Sequence, residues 1–366
     1  MSRARTAAVL CGLLASATLV VELVSPASMV GYLARQGLFQ AELLWGRIPV
    51  EELLASGSLT ADRTANLRRV APIKEFGRTL GLASTENYET INPTWKRQIW
   101  NLSACRPTQF ESVRWTFPVV GSMPYIGFFR QPDAAERAAD LERSGYDVYL
   151  RTAGAYSTLG WFADPVLPDM LDWPEPALAD TLLHELAHAT LWIPGSAMFN
   201  ESFASAVGEA ASAQWMVHTY GAGSTEVTDL TRARADAERY RGVLHRVYED
   251  LEAVFDDASL NSSEQRLRKA MIYESIPRRA ADAGVGPPRR RTGAIQRGTW
   301  NNARLVQFRT YNRGAAWFRQ ILAEEDDDVA RFIERVREIT AEGGDPWAAL
   351  GTAVGADPAE FAVGDG

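Results

Sequence analysis

Histidine is scarce in this chain, four residues in 366, and two of the four stand at positions 184 and 188. The segment Leu182-Leu183-His184-Glu185-Leu186-Ala187-His188 places them four apart. On a helix that spacing brings both imidazoles out on one face, one turn apart, where they can ligate a single Zn²⁺. Glu185 follows the first ligand, so its carboxylate can take a proton from water activated by the ion. Leu178, Leu182 and Leu186, with Leu183 alongside, predict that the opposite face of this helix is buried. Pro194 and Gly195 predict a turn soon after it.

A catalytic zinc needs a third protein ligand and keeps one position open. Residues 199–216, FNESFASAVGEAASAQWM, read as a second helix. Asn200 is expected as its cap and Glu201 in its first turn. Glu201, Ala204, Ser205, Gly208 and Ala211 or Ser212 form a stripe of small side chains. Such a stripe allows close helix approach, which would bring Glu201 to the metal held by His184 and His188. Glu209 is the rival ligand. It points to a somewhat different side and is preferred as a carboxylate behind the ligands or an acceptor for a substrate amine.

The surrounding elements must hold these two helices. Apolar spacing over 34–57 predicts two helices separated by Pro49, and 59–82 another pair punctuated by Pro72. Residues 90–120 are aromatic-rich and mixed. Asp133–Ser144 reads as a helix ended by Gly145. Asp147–Thr152 alternates as a strand, Val148 and Leu150 on one face, Tyr149 and Arg151 on the other. That strand is a candidate edge for an extended peptide. Further helices are expected over 228–254, 264–276, 303–322 and 327–339. Residues 284–298 form a basic loop, and the Gly- and Ala-rich stretch after Asp345 is expected to fray.

The N-terminus begins with Arg3 and Arg5 and then runs apolar from Ala7 to Val21, continuing past Glu22 towards Leu33. This reads as a secretory signal or an uncleaved membrane anchor. Cys11 has Leu10 before it, a poor context for lipidation. The only other cysteine is Cys105, so no disulfide scaffold is expected. A formal net charge of -8 argues against a nucleic-acid partner.

The pattern His184-Glu185-x-x-His188 with Asn200-Glu201-Ser202-Phe203-Ala204 resembles zincins whose third ligand is glutamate, the gluzincins. It is similar to the Asn-Glu-Gly-Phe-Ala segment of the large zinc aminopeptidases, with Ser202 in place of glycine and a shorter gap between His188 and Glu201. A fuller resemblance is to a bacterial family of predicted aminopeptidases. It is carried by Trp115 to Gly121, Pro124 to Phe129, Gly145 to Tyr149, Ala155 to Phe162, Asp164-Pro165, the zinc helix, Asn200 to Ala204, and Asn301-Asn302-Ala303. The resemblance implies a zinc-dependent peptidase-like domain over nearly all of the chain after residue 30. Many relatives resemble lipoproteins, but this chain has Ser25-Pro26-Ala27-Ser28 where their modified cysteine would stand. In similar zincins a tyrosine often supports the oxyanion, and Tyr156 and Tyr311 are the candidates here.

The expectation is therefore a mainly helical α+β protein with a zincin-like fold and a small sheet before the zinc helix. Residues 1–30 are the signal or anchor, and 31–120 a helical and mixed region packed on the catalytic unit. Residues 121–345 are the catalytic domain and 346–366 a flexible tail. One Zn²⁺ would be held by His184, His188 and Glu201, with Glu185 as general base acting on a peptide substrate. Aminopeptidase action is favoured. The alternatives are an endopeptidase of the cell envelope or a non-catalytic zinc-containing binding or assembly protein. The expected location is extracytoplasmic in a bacterium, periplasmic or membrane-anchored, with no obligate protein partner.

Overall fold

The computed structural model of the chain describes residues 29–117, 121–152, 163–286, 299–312 and 314–357. They begin with helix α1 (Met29–Trp45), followed by the short strand β1 (Ile48–Pro49) and helix α2 (Val50–Ser56). The expected break at Pro49 is present, since proline cannot donate to a continuing helix. Helix α3 (Ala61–Thr79) is continuous, where the sequence predicted a pair split at Pro72. Pro72 lies on the exposed side, while Leu67, Val70, Ile73 and Gly77 face inward. A helix wrapped round a core bends its outer carbonyls towards water, so a missing donor there is tolerated.

Next come β2 (Thr90–Ile91), β3 (Trp100–Cys105), β4 (Trp115–Phe117), β5 (Gly121–Met123), β6 (Ile126–Phe128), α4 (Gln131–Arg143) and β7 (Asp147–Thr152). The largest sheet is antiparallel with the order β6-β3-β7, which makes β7 an edge. β3 and β7 pair along their full length, Trp100 opposite Thr152 through Cys105 opposite Asp147. Leu102, Ala104, Ile126 and Phe128 pack with Ala134, Ala138 and Leu141 of α4 in one cluster. The expected division at residue 120 runs through this sheet, because its central strand comes from one side of that boundary and its outer strands from the other.

A 3-10 turn (Pro168–Asp172) leads to helices α5 (Glu175–Thr190), α6 (Ala197–Tyr220), α7 (Thr225–Asp256), α8 (Ser262–Glu274) and α9 (Ile276–Asp282). Then come α10 (Asn302–Asn312), α11 (Ala315–Glu324), α12 (Val329–Thr340) and α13 (Pro346–Val354). The fold is thus α+β and mainly helical, as expected. The single helix predicted over 303–322 is two, broken at Gly314, whose φ of 64° belongs to the left-handed region that favours glycine. A side chain there would also run into the Trp347 ring. Residues 346–354, predicted as the start of a fraying tail, form α13 instead. Trp347 and Leu350 are buried in the main core beside Phe199 and Phe318, and that apolar burial holds the segment down.

The back of β7 is fixed by polar contacts. Lys269 of α8 pairs with Asp147, whose Oδ2 also accepts the Asn302 backbone N–H at 2.8 Å. The Asn301 amide donates to the Val148 carbonyl at 2.7 Å, and that of Asn302 to the Arg106 carbonyl at 2.9 Å. No helix among the described residues is long and apolar enough to cross a membrane. The N-terminal segment 1–28 and most of the basic loop, residues 287–298, lie outside the described residues.

Helix α5 packs closely against α6, and Gly208 is where they meet. A Cβ at 208 would stand 2.8 Å from the Asp180 carbonyl oxygen, 2.9 Å from its Oδ1 and 3.1 Å from the His184 Cβ. The small-residue stripe read from the sequence therefore serves the predicted purpose. Gly208→Ala should force the helices apart and cost about 1–3 kcal/mol, as overpacking does. A thermal melt together with the metal content of the purified variant checks this. A fall in both is expected, whereas wild-type values for both would show that the contact tolerates a methyl group.

Candidate metal centre

Helix α5 buries Leu178, Leu182, Leu183 and Leu186, all at 1% exposure or less, as its apolar spacing predicted. His184 and His188 consequently emerge together towards α6. Their Nε2 atoms are 3.1 Å apart. From α6, Glu201 Oε2 lies 3.6 Å from His184 Nε2, and Oε1 lies 3.8 Å from His188 Nε2. These three side chains are the group of His, Cys, Asp or Glu that could hold an ion among the described residues.

The spacing fits a metal. Two ligands at about 2.0–2.1 Å from a tetrahedral Zn²⁺ stand about 3.3 Å from each other. The observed separations bracket that value. Two imidazoles and one carboxylate are also the donor set of catalytic rather than closed structural sites.

The connection between the helices differs from expectation. Helix α6 starts at Ala197, so Asn200 is inside it and is not its cap. The Asn200 amide instead spans the turn, accepting the Ile193 N–H at 2.9 Å and donating to the Ile193 carbonyl at 2.8 Å. Those two bonds fasten the end of the α5–α6 link one residue before Glu201. Gly195, at φ 83°, makes the turn predicted for Pro194-Gly195.

Burial and charge compete at the three ligands. Burial pulls the His184 imidazole down, but its hydrogen bond to Glu201 and the charges of Glu185, Glu201 and Asp180 outweigh this and lift it to about 9. Burial pushes the Glu201 carboxyl up, and the His184 bond with the charges of His188, His184 and Arg151 brings it below the usual range. His188 goes to about 4, because burial and the charge on His184 overcome the pull of Glu201. At neutral pH the site thus holds one proton, on His184, facing the Glu201 carboxylate. A cation would replace that proton. His188 Nδ1 is buried and has no hydrogen-bond partner in the structure.

Several neighbours shape the surroundings. With the Gln307 amide oxygen facing it, Arg151 donates through Nε at 2.8 Å and Nη2 at 2.6 Å, and the Gln307 amide donates to Ser103 Oγ at 3.0 Å. This ties β7 to α10 and sets a positive charge towards Glu201. Asp180 stands one turn before His184. Burial pushes its carboxyl up, against the charges of His184 and Arg234, to about 6. Its place in the pattern Asp180-x-x-x-His184-x-x-x-His188 is a signal that the sequence reading overlooked. Asp180, His184, Ser205 and Glu209 line a cavity of about 1230 Å³ bounded by α3, α5, α6, α7 and α11.

Glu209 stands outside the group of side chains that could hold an ion. It pairs with Arg241 at 3.2 Å. Eight residues of helix also separate it from Glu201 by about 12 Å along the axis. Tyr156 lies outside the described residues. Tyr311 falls within α10, but its side chain is likewise outside what the structure describes.

The proton on His184 gives binding a pH dependence. Metal must displace it, so apparent affinity should rise about tenfold per pH unit up to about pH 9. Calorimetric zinc titration in buffers of different ionisation enthalpy should show about one proton released per ion at neutral pH. Binding independent of pH from 6 to 9 would contradict the paired geometry.

Comparison with known proteins gives one match. The model of the family described as "Putative aminopeptidase" matches residues 31–345, which takes in β3, β7, α5 and α6. No curated protein matches, and no solved structure does. The match covers most of the chain, so the chain belongs to the family described as "Putative aminopeptidase".

Proposed function

We propose that the chain is a zinc-dependent peptidase with a zincin-like site, and that it removes residues from the free N-terminus of peptides. One observation carries the reading: two histidines one helical turn apart and a glutamate from the next helix converge at metal-binding distances, with Glu185 beside them. Membership of an aminopeptidase family supports the substrate class.

His184, His188 and Glu201 would hold the ion. A bound Zn²⁺ would supply Lewis-acid polarisation of the scissile carbonyl and lower the pKa of water. Glu185 accepts the proton of the attacking water and delivers it to the leaving amine. Tyr156 and Tyr311 are the proposed donors to the developing oxyanion. The edge strand β7 offers a peptide a place to lie in extended form. The Asn301 amide already occupies its outer side at Val148, leaving Leu150 and Thr152, nearer the ligands' neighbour Arg151, for substrate. For the substrate amine, Asp180 is a better-placed acceptor than Glu209, since it lies one turn from His184 while Glu209 pairs with Arg241.

A basic start followed by an apolar run supports an extracytoplasmic location, with membrane association through the N-terminal segment. No membrane-spanning role is needed for the chemistry.

The direct test is cleavage of a mixed peptide library by the zinc-loaded protein, read by mass spectrometry, with free and acetylated N-termini. Wild type is expected to cleave the free set and spare the acetylated set. Glu185→Gln should keep zinc and lose about a hundredfold or more in kcat. Equal cleavage of both sets would make the protein an endopeptidase. Equal low activity in wild type and variant, with zinc retained, would leave a non-catalytic zinc protein.

A further inference from the structure

Helix α1 is apolar along two opposite sides. Tyr32, Phe39 and Leu43 lie on one of them, and Tyr32 and Leu43 are buried. Ala34, Leu38, Ala41 and Trp45 recur at helical intervals on the other. That second stripe faces solvent: Leu38 is 71% exposed and Trp45 91%. A surface helix of a folded protein needs one apolar stripe, turned to the core. The outer stripe of α1 has no such use within the described fold.

The inner side is pinned along its length, so the outer side cannot roll inwards. The Tyr32 hydroxyl donates to the Gly127 carbonyl at 2.7 Å, and Gln36 Oε1 accepts the Phe129 N–H at 3.3 Å. Phe39 packs against the Phe129 ring, with the Arg97 guanidinium 4.8 Å from its own centroid. At the far end the Asn92 amide donates to the Leu43 carbonyl at 3.1 Å and to the Glu42 carbonyl at 3.2 Å. Leu38 and Trp45 are thus held outwards on a helix fixed to the sheet side of the molecule.

We propose that the outer face of α1 lies on a lipid bilayer, with Leu38 and Trp45 entering the headgroup boundary. The apolar run from Ala7 to Val21 points to this occupant, because only residues 22–28 separate it from the start of α1. Seven residues span at most about 25 Å, so lipid that takes up that run stands within reach of the helix. A helix lying in the interface buries its apolar face, and tryptophan favours that depth because its ring is apolar and its N–H is polar. A second copy of the chain fits less well, since one leucine, one tryptophan and two alanines expose far less than the about 800 Å² per partner of a stable interface. The assignment rests on the membrane association proposed above and is independent of the zinc chemistry.

The test places an NBD fluorophore on Leu38→Cys in the full chain, in a Cys11→Ser background, Cys105 being buried. Met271→Cys in the same background is the control, since Met271 on α8 is also an exposed apolar residue. The labelled chains are floated with phosphatidylcholine vesicles that carry spin-labelled lipid. Quenching of about twofold or more is expected at position 38, as insertion into the headgroup boundary requires, with little at 271. A chain that floats without quenching at 38, or with equal quenching at 271, overturns the assignment and leaves the membrane association standing. A label at 38 that is shielded from aqueous dithionite yet not quenched by the lipid also overturns it, because residues 1–28 or a second copy would then cover this face. A chain that fails to float overturns the membrane association and this assignment with it.

Discussion

The site depends on how closely α5 and α6 approach. Gly208 sets that distance, because any side chain there would meet the Asp180 backbone and the His184 Cβ. With the helices this close, Glu201 reaches both imidazoles from the first half of α6. The Asn200 bonds to Ile193 then fix the register of the short link, so the carboxylate arrives at the height of His184 and His188. A small residue, a bridging amide and a turn therefore act together to bring the carboxylate up to the two imidazoles.

Bringing three polar side chains into a mostly buried place has an electrostatic cost. A proton between His184 and Glu201, flanked by Glu185, Asp180 and Arg151, offsets it. The negative charges outnumber the positive ones at this spot, which is the field a divalent cation would answer. The same crowding lowers His188 and keeps its imidazole neutral, the form that can ligate.

Much of the site was legible because it rests on local spacing. The interval of four between His184 and His188, the buried leucines of α5, the small stripe of α6 and the strand at 147–152 all follow from helix and strand periodicity. What was not legible depends on distant contacts. Pro72 looks like a helix break until its exposure on the outside of α3 is known. The stretch after Asp345 looks like a tail because it is rich in glycine and alanine, yet Trp347 docks against Phe199 and Phe318 and holds it. Asn200 resembles a cap by its position near a helix start, but it is drawn to Ile193 instead.

The most direct measurement is X-ray absorption at the zinc edge on the zinc-loaded protein, comparing wild type with Glu201→Ala. The account predicts two imidazole nitrogens at about 2.0–2.1 Å with a carboxylate oxygen in the wild type, and loss of that oxygen with much weaker retention of zinc in the variant. A wild-type spectrum lacking paired imidazoles, or one unchanged by Glu201→Ala, would contradict it.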